Sequence, residues 1–537
     1  MECINNLVKS LNECNVKDIF TLSNDTIIEV LIKFENANFN IHCLYAEENI
    51  PIVAGACSSY SKKVTVLLLS DGFAINKTIN ALIASRIKYC PILCIILEND
   101  QESTLALPGK RPKTLKVDLF MQKYGVEKIK NELLNDPVQL TSTINKMYEK
   151  GKPHILRIRM TKKDNKIKNS STTGKIKINK ALKYSHKKGR FEIIKESKIK
   201  EIIGNKLAIA IVGNQILKGY NQGNFNKLLH FLNIRYCVLP SAKSQVAEDD
   251  TRYIGAYYGN LSPSSLLTEL KKATHIIKMG IEEFPYDYYL SDQYIVSLTN
   301  KPNLELISLE DVFTYPVNEV DEKANITEKI SSMDRISYYL NSKDQAILNK
   351  ITSTLSLPSF SPKIIVADVG ITCLASLDIM LGPIDGYFSN HASACMGLSL
   401  ASACGISIAK ETVPIWVLIG DGSLLMALND LLFVANLKHN INIILLDNQQ
   451  YLTENLREET KYHNMPYVNY KKLSESLGIN HYLKIEKIEK VNEALFESLN
   501  VKTTSLIHVY LNRTQKKEAS MMETLKFLNK KQNEKHV

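Results

Sequence analysis

The stretch PIWVLIGDGSLLMALNDLLFVANLKHNINIILLDNQQYLTE, residues 414–454, ends two apolar runs in a carboxylate, Asp421, and a carboxamide, Asn448. It reads as strand, tight turn, apolar helix, strand and turn. In a parallel sheet both turns leave the carboxyl ends of neighbouring strands, so two residues 27 positions apart converge on one ligand. Carboxylate and carboxamide oxygens are hard donors suited to Mg2+, an octahedral ion that shares its shell with phosphate oxygens. A helix expected to begin near Ser423 aims its free N–H groups and the positive end of its dipole at the same place, which favours a diphosphate. Gly420 and Gly422 are expected to let the backbone turn tightly and approach that anion. The chemistry these residue types support is the holding of a diphosphate through a divalent metal ion.

The elements that must position this pair recur along the chain. HCLYA, NIPIVAGACSSYS, KVTVLLLS, NKTINALIASRIKY and PILCIILEND alternate strand and helix character; the rhythm restarts at KLAIAIVGN, RYCVLP and THIIKMG, and again from KIIVADVG. The pattern predicts an α/β protein of three doubly wound parallel-sheet domains. Their expected extents are 1–160, 191–335 and 336–537, with a basic linker at 161–190, and the likeness among them is architectural, without a short repeat. A length of 537 residues agrees with several domains.

The net charge of +11 raises the question of nucleic acid, but the segment from Thr161 to Arg190 carries eleven Lys or Arg against one acid, Asp164, and so holds +10 of it. Its stretch KKDNKIKNSSTTGKIKINK is rich in Ser, Thr, Asn and Gly and has no interleaved aromatics to stack bases, the composition of a solvated linker. No apolar run is long enough to cross a membrane, and MECINNLVKSLNEC lacks a basic start followed by an apolar core. Ten scattered cysteines fit a reducing compartment, and the close pair Cys90 and Cys94 reads as buried thiols. The expectation is a cytoplasmic protein with no nucleic-acid or membrane partner.

Gly-Asp-Gly alone is a common turn. Followed by the Asn that ends the next strand, it resembles the thiamine diphosphate signature, and DNQQYLTENL resembles the Asn-Asn-x-Gly-Tyr-x-x-Glu stretch of the pyruvate and indolepyruvate decarboxylases. KSQVAEDDTRYIGAYYGNLSPSSL is similar to the middle-domain stretches of that branch, DIFTLSNDTIIEVL to its opening strand, and YAEENIPIVAGA to the segment with the cofactor-activating glutamate. The resemblance implies the thiamine diphosphate-binding fold, with pyrimidine-binding (PYR), middle and diphosphate-binding (PP) domains. It implies that Asp421, Asn448 and the main-chain oxygen of Gln450 hold Mg2+, and that Gly422, Ser423, Thr372 and Asn390 contact thiamine diphosphate. It makes Glu48, selected over Glu47 by its distance from Asp25, the activating glutamate, and Asp25 and Glu454 the other catalytic acids. It further implies a homodimer or dimer of dimers in which one subunit's Glu48 serves another's metal site.

Three stretches depart from that branch. No histidine lies between His42 and His154, and where the branch has a histidine pair this chain has LPGKRPKTLKVDLF, with Lys110, Arg111, Pro112 and Lys113. Arginine stays protonated near neutrality and cannot shuttle a proton as imidazole does. GYFSNHASACMGLSLASACG puts Asn390 and Ser393 in place of glycines and Ala392 where a bulky residue props the cofactor, with His391 between them. In ADVGITC, Val369 and Ile371 replace hydroxyl residues, leaving Thr372. The expected activity is decarboxylation of a 2-oxo acid of the pyruvate, indolepyruvate or phenylpyruvate type to an aldehyde. An acyloin-forming carboligase and a non-catalytic homologue are the alternatives.

Overall fold

The computed structural model describes residues 2–24, 27–70, 77–79, 81–82, 90–99, 126–160, 207–214, 229, 232, 234–259, 261–281, 295, 305–309, 339–390, 395–457 and 460–513. Asp25, the Lys110–Lys113 stretch, the basic linker 161–190, and His391, Ala392 and Ser393 lie outside them.

The first unit contains β1 (Asp18–Thr21), β2 (Asn40–Cys43), β3 (Thr65–Ser70), β4 (Ile92–Asn99), β5 (Glu127–Lys128) and β6 (His154–Met160). The second contains β7 (Ala208–Val212), β8 (Arg235–Val238), β9 (Tyr253–Ala256), β10 (His275–Met279) and β11 (Glu305–Leu309). The third contains β12 (Ile364–Ala367), β13 (Gly386–Ser389), β14 (Ile415–Gly420), β15 (Ile441–Asp447), β16 (His481–Ile485) and β17 (Ser505–Tyr510). The sheet orders are β2-β1-β3-β4-β6-β5, β11-β10-β7-β8-β9 and β13-β12-β14-β15-β17-β16. Every pairing among these strands is parallel. The first and third sheets share one topology, second-first-third-fourth-sixth-fifth, so the likeness expected among units is strongest between the two outer ones.

Strands covered on both faces read as unbroken apolar runs, and TVLLLS and IWVLIG do. The two-residue period of a strand then divides each run between two cores. Val66 and Leu68 pack with Leu7, Leu11 and Ile144, while Leu67 and Leu69 share a core with Val417 and Ile419. On the opposite face of β14, Trp416 and Leu418 join Val212, Tyr236 and Val238 of the second sheet. The third unit is thus buried between the other two.

The contact between outer units runs through two helices of small residues, α1 (Ile50–Ser61) and α2 (Leu398–Ala409). A Cβ at Gly405 would lie 2.0 Å from the Val53 carbonyl oxygen and 2.8 Å from the Cys57 nitrogen, so the helices cross where only glycine fits. The second unit is clamped to the third by Lys243. Its ammonium donates to Glu248 Oε2 at 2.6 Å and to the Ile379 carbonyl at 2.8 Å, both side chains being buried.

None of the ten cysteines is in a disulfide, and Cys90 and Cys94 are both buried, as expected. Among the described residues no helix is long and apolar enough to cross a membrane.

Candidate cofactor site

In the third sheet β12 connects outward to β13 while β14 connects the other way to β15, so the order reverses between β12 and β14. Such a switch opens a crevice at the carboxyl ends of the strands. Asp368 follows β12 and Asp421 follows β14, on either side of it; Asp447 ends β15, whose register sets Leu446 beside Gly420. The two strand tips read from the sequence are therefore neighbours.

The helix after Gly420 begins at Asp421 rather than near Ser423. It is short, α3 (Asp421–Met426), and breaks at Ala427 before α4 (Leu428–Leu437). The expected tight turn takes another form as well. Gly420 has extended backbone, with φ −83° and ψ 161°, and a Cβ there would meet nothing within 4 Å. Gly422 is needed for packing, because a Cβ there would lie 2.6 Å from the Tyr451 ring. Left-handed backbone falls instead on Gln449, φ 56°, one residue before the Gln450 that stands where the resemblance has glycine.

Asp421 is buried, and its Oδ1 accepts from the Gly422 N–H at 2.8 Å. Its Oδ2 is buried without a hydrogen-bond partner. Burial first, and then the neighbouring Asp447, push the Asp421 carboxyl up to about 7 against the opposing pull of the Gly422 and Gln449 N–H groups. Asp447 is itself satisfied: Oδ2 meets His508 Nε2 at 2.8 Å and Oδ1 accepts from the Gln449 N–H at 3.3 Å. His508 Nδ1 in turn meets the Tyr482 hydroxyl at 2.8 Å. One buried carboxylate oxygen beside a second acid is left to be met by a cation.

The remaining oxygen donors expected for the metal are at the tip of β15. Asn448 is buried, and Gln450 forms an isolated antiparallel bridge with Asn464. The bridge's hydrogen bonds run from Tyr451 N–H to the His463 carbonyl and from Met465 N–H to the Gln449 carbonyl. A carboxylate, an amide and a main-chain carbonyl are oxygen donors of the kind Mg2+ takes, so this set fits a divalent ion that also binds phosphate. Among the described residues no group of three or more His, Cys, Asp or Glu side chains is placed to hold a metal.

The other side chains expected at the cofactor are fixed as follows. Ser423 Oγ donates to Asp368 Oδ1 at 2.7 Å. The Thr372 hydroxyl lies 2.9 Å from the Val369 carbonyl and 3.1 Å from that of Asp368, so its proton serves the backbone. Asn390 is buried and donates to Ser402 Oγ at 2.9 Å. Glu454 is exposed on α5 (Leu452–Arg457). Glu48 is exposed in a short turn, Glu47–Asn49, preceding α1. Within its own chain Glu48 is close enough to Asp430 of α4 to raise that carboxyl's pKa, and Asn49 Nδ2 donates to Asp430 Oδ2 at 2.5 Å.

Asp368, Asp447 and His508 were not singled out from the sequence. Asp368 gathers the N–H groups of Val369, Gly397 and Ser399 and the hydroxyl of Ser423. Its signal is an acid ending an apolar run, in KIIVADVG, as Asp421 does in PIWVLIGDG. His508 lies 61 residues from Asp447 with no local mark.

Two family matches cover these elements. Residues 1–117 match the thiamine pyrophosphate enzyme, N-terminal TPP binding domain, and residues 368–509, from Asp368 past His508, match the thiamine pyrophosphate enzyme, C-terminal TPP binding domain. Benzoylformate decarboxylase from Polynucleobacter necessarius shares the fold with a TM-score of 0.70 at 16% identity, over 96% of this chain and 99% of that one. A 3D-(3,5/4)-trihydroxycyclohexane-1,2-dione hydrolase of Geobacillus thermodenitrificans (strain NG80-2) is 27% identical over 142 residues, 23% of this chain and 22% of that protein. A 1-deoxy-D-xylulose-5-phosphate synthase of Lachnoclostridium phytofermentans is 28% identical over 129 residues, 24% of this chain and 20% of that protein. The chain thus spans about a fifth of the length of the curated relatives it matches. The chain carries matches to both thiamine pyrophosphate binding domains, at its two ends, and shares the fold of that benzoylformate decarboxylase over nearly its whole length.

Proposed function

We propose that the protein is a thiamine diphosphate- and Mg2+-dependent carboxy-lyase that converts a 2-oxo acid of the pyruvate, indolepyruvate or phenylpyruvate type to an aldehyde and carbon dioxide. The observation that carries the proposal is the buried, unpartnered Asp421 Oδ2 at the tip of β14, beside the turn that holds Asn448 and Gln450. Asp421, Asn448 and the Gln450 carbonyl bind Mg2+ and, through it, the diphosphate. When bound, thiamine diphosphate supplies a nucleophilic carbon and a cationic ring that accepts the electron pair released with carbon dioxide.

The chain's own groups bind, orient and move protons. Asp368 ties the loop after β12 to Ser423 and to the start of α2, which keeps the crevice in shape. Glu48 holds the proton that activates the cofactor's pyrimidine ring. Because it is exposed and lies by Asp430 in its own chain, a second copy of the chain delivers it to the metal site, which makes the working unit a homodimer or a dimer of dimers. Glu454, exposed on α5 three residues past Tyr451, serves as the second proton-transfer group with Asp25. The absence of histidine between His42 and His154 favours a second reading, carboligation of two carbonyl compounds to an acyloin.

Incubation with thiamine diphosphate, Mg2+ and a panel of pyruvate, phenylpyruvate, indolepyruvate and branched 2-oxo acids distinguishes the two by product. Aldehyde supports the lyase and acyloin the carboligase; neither, with cofactor bound, leaves a non-catalytic homologue. Glu48→Gln is expected to abolish turnover and retain Mg2+-dependent cofactor binding. Undiminished activity in that variant contradicts the role given to Glu48.

A further inference from the structure

Gln449 has left-handed backbone, φ 56°, and stands between Asn448 and Gln450, two of the donors proposed for the metal. A side chain at such a φ presses on its own backbone, so a residue other than glycine stays there only where its surroundings hold it. Here hydrogen bonds hold it. The Gln449 N–H donates to Asp447 Oδ1 at 3.3 Å, its carbonyl accepts from the Met465 N–H at 2.9 Å, and its Oε1 accepts from Arg513 Nη2 at 3.4 Å. Arg513 is exposed and Met465 half-buried, whereas Asp447 is buried and is itself anchored.

That anchor crosses the sheet. The register sets Leu445 beside His508 and Leu506 beside Tyr482. The two-residue period of a strand then puts Asp447, His508 and Tyr482 on one face of β15, β17 and β16, each diagonal to the next. His508 Nε2 donates to Asp447 Oδ2 at 2.8 Å, which leaves Nδ1 to accept from the Tyr482 hydroxyl, also at 2.8 Å. The Tyr470 ring meets the imidazole edge-on, with centroids 5.1 Å apart, and fixes its plane. Resting on the metal site proposed above, we infer that His508 and Tyr482 are positioning residues for the metal-donor turn: through Asp447 they hold Gln449 left-handed and so keep Asn448 and Gln450 together at the tip of β15. Because β16 is the edge strand of its sheet, the turn is braced from two strands away.

Two measurements test this on the full chain. Hydrogen exchange, followed by mass spectrometry on the peptides that carry the Tyr451 and Met465 amides, reads the turn without cofactor. Calorimetric titration of thiamine diphosphate with Mg2+ reads the site. Tyr482→Phe, which removes only the hydroxyl, is expected to speed exchange in those peptides at least ~3-fold and to weaken Mg2+-dependent binding about 3- to 10-fold. His508→Leu, which removes both bonds, is expected to weaken it ~10- to 100-fold. The peptides of β14 should exchange as in the native protein. Glycine adopts left-handed backbone unaided, so with Gln449→Gly as the background the further loss from either variant should shrink to less than ~3-fold. A His508 that acts by its charge, or on the fold at large, loses as much in that background as in the native one. Native exchange and affinity in Tyr482→Phe and His508→Leu, or losses that Gln449→Gly leaves undiminished, overturn the inference. If the native protein shows no Mg2+-dependent binding, the metal reading falls instead; faster exchange that Gln449→Gly abolishes then still sustains the brace on the turn, and unaltered exchange overturns it.

Discussion

The Ser423 hydroxyl donates to Asp368 Oδ1 at 2.7 Å, joining residues 55 positions apart. The bond links the tips of β12 and β14 across the point where the strand order reverses, so the helix bearing Asp421 and the loop running from Val369 to Thr372 are held as one surface. Three main-chain N–H groups converge on the same carboxylate. A site for a diphosphate needs such a fixed arrangement, because donors that must reorganise on binding lose affinity.

Replacing Asp368 by Asn keeps the volume and removes the charge and one acceptor. Supporting residues of this sort typically cost 10- to 100-fold in the affinity of the group they position. Asp368→Asn is therefore expected to weaken Mg2+-dependent thiamine diphosphate binding by ~10- to 100-fold, measured by titration calorimetry. Unaltered affinity would show that the carboxylate serves the fold alone.

The crossing of α1 and α2 sets where the N-terminal unit, and with it Glu48, sits on the third unit. Gly405→Ala puts a methyl group 2.0 Å from the Val53 carbonyl oxygen, which the helices accommodate only by separating. The expected cost is about 1–3 kcal/mol, read as a lowered urea midpoint at constant slope. An unchanged midpoint would mean that the interface is looser than its geometry indicates.

Asp430 gives the protein a pH dependence whose sign is opposite to that of a salt-bridged acid. Burial first, and the Glu48 charge after it, push its carboxyl up to about 7, while the Asn49 amide opposes them. The folded chain holds the proton that an unfolded chain releases near the ordinary value of 3.8. Its contribution is therefore complete below that value and is lost as pH rises through about 7. Over this window the stability of the native sequence should fall relative to Asp430→Asn by up to about 1.4 kcal/mol per pH unit, measured by denaturant unfolding from pH 4 to 7.5. Parallel curves for the two proteins would contradict the buried, protonated state.

Much of this was legible in the residues. Unbroken apolar runs such as TVLLLS and IWVLIG marked strands buried on both faces, and acids or amides just past them marked the strand tips. The three parallel sheets and the adjacency of β14 and β15 followed from that rhythm. Backbone detail did not. The left-handed residue is Gln449, with no glycine to announce it, and Gly422 answers to the Tyr451 ring rather than to a turn. The pairing of Asp447 with His508, and of His508 with Tyr482, depends on three neighbouring strands whose register no local pattern records.

The cation proposed at the tips of β14 and β15 is most directly tested by calorimetric titration of thiamine diphosphate into the native protein with Mg2+, into the same protein with EDTA, and into Asp421→Ala with Mg2+. Removal of a direct oxygen ligand is expected to cost at least as much as removal of a supporting one, so saturable binding in the first should weaken at least ~100-fold in the other two. Equal affinity in all three would contradict a diphosphate held through a metal on Asp421.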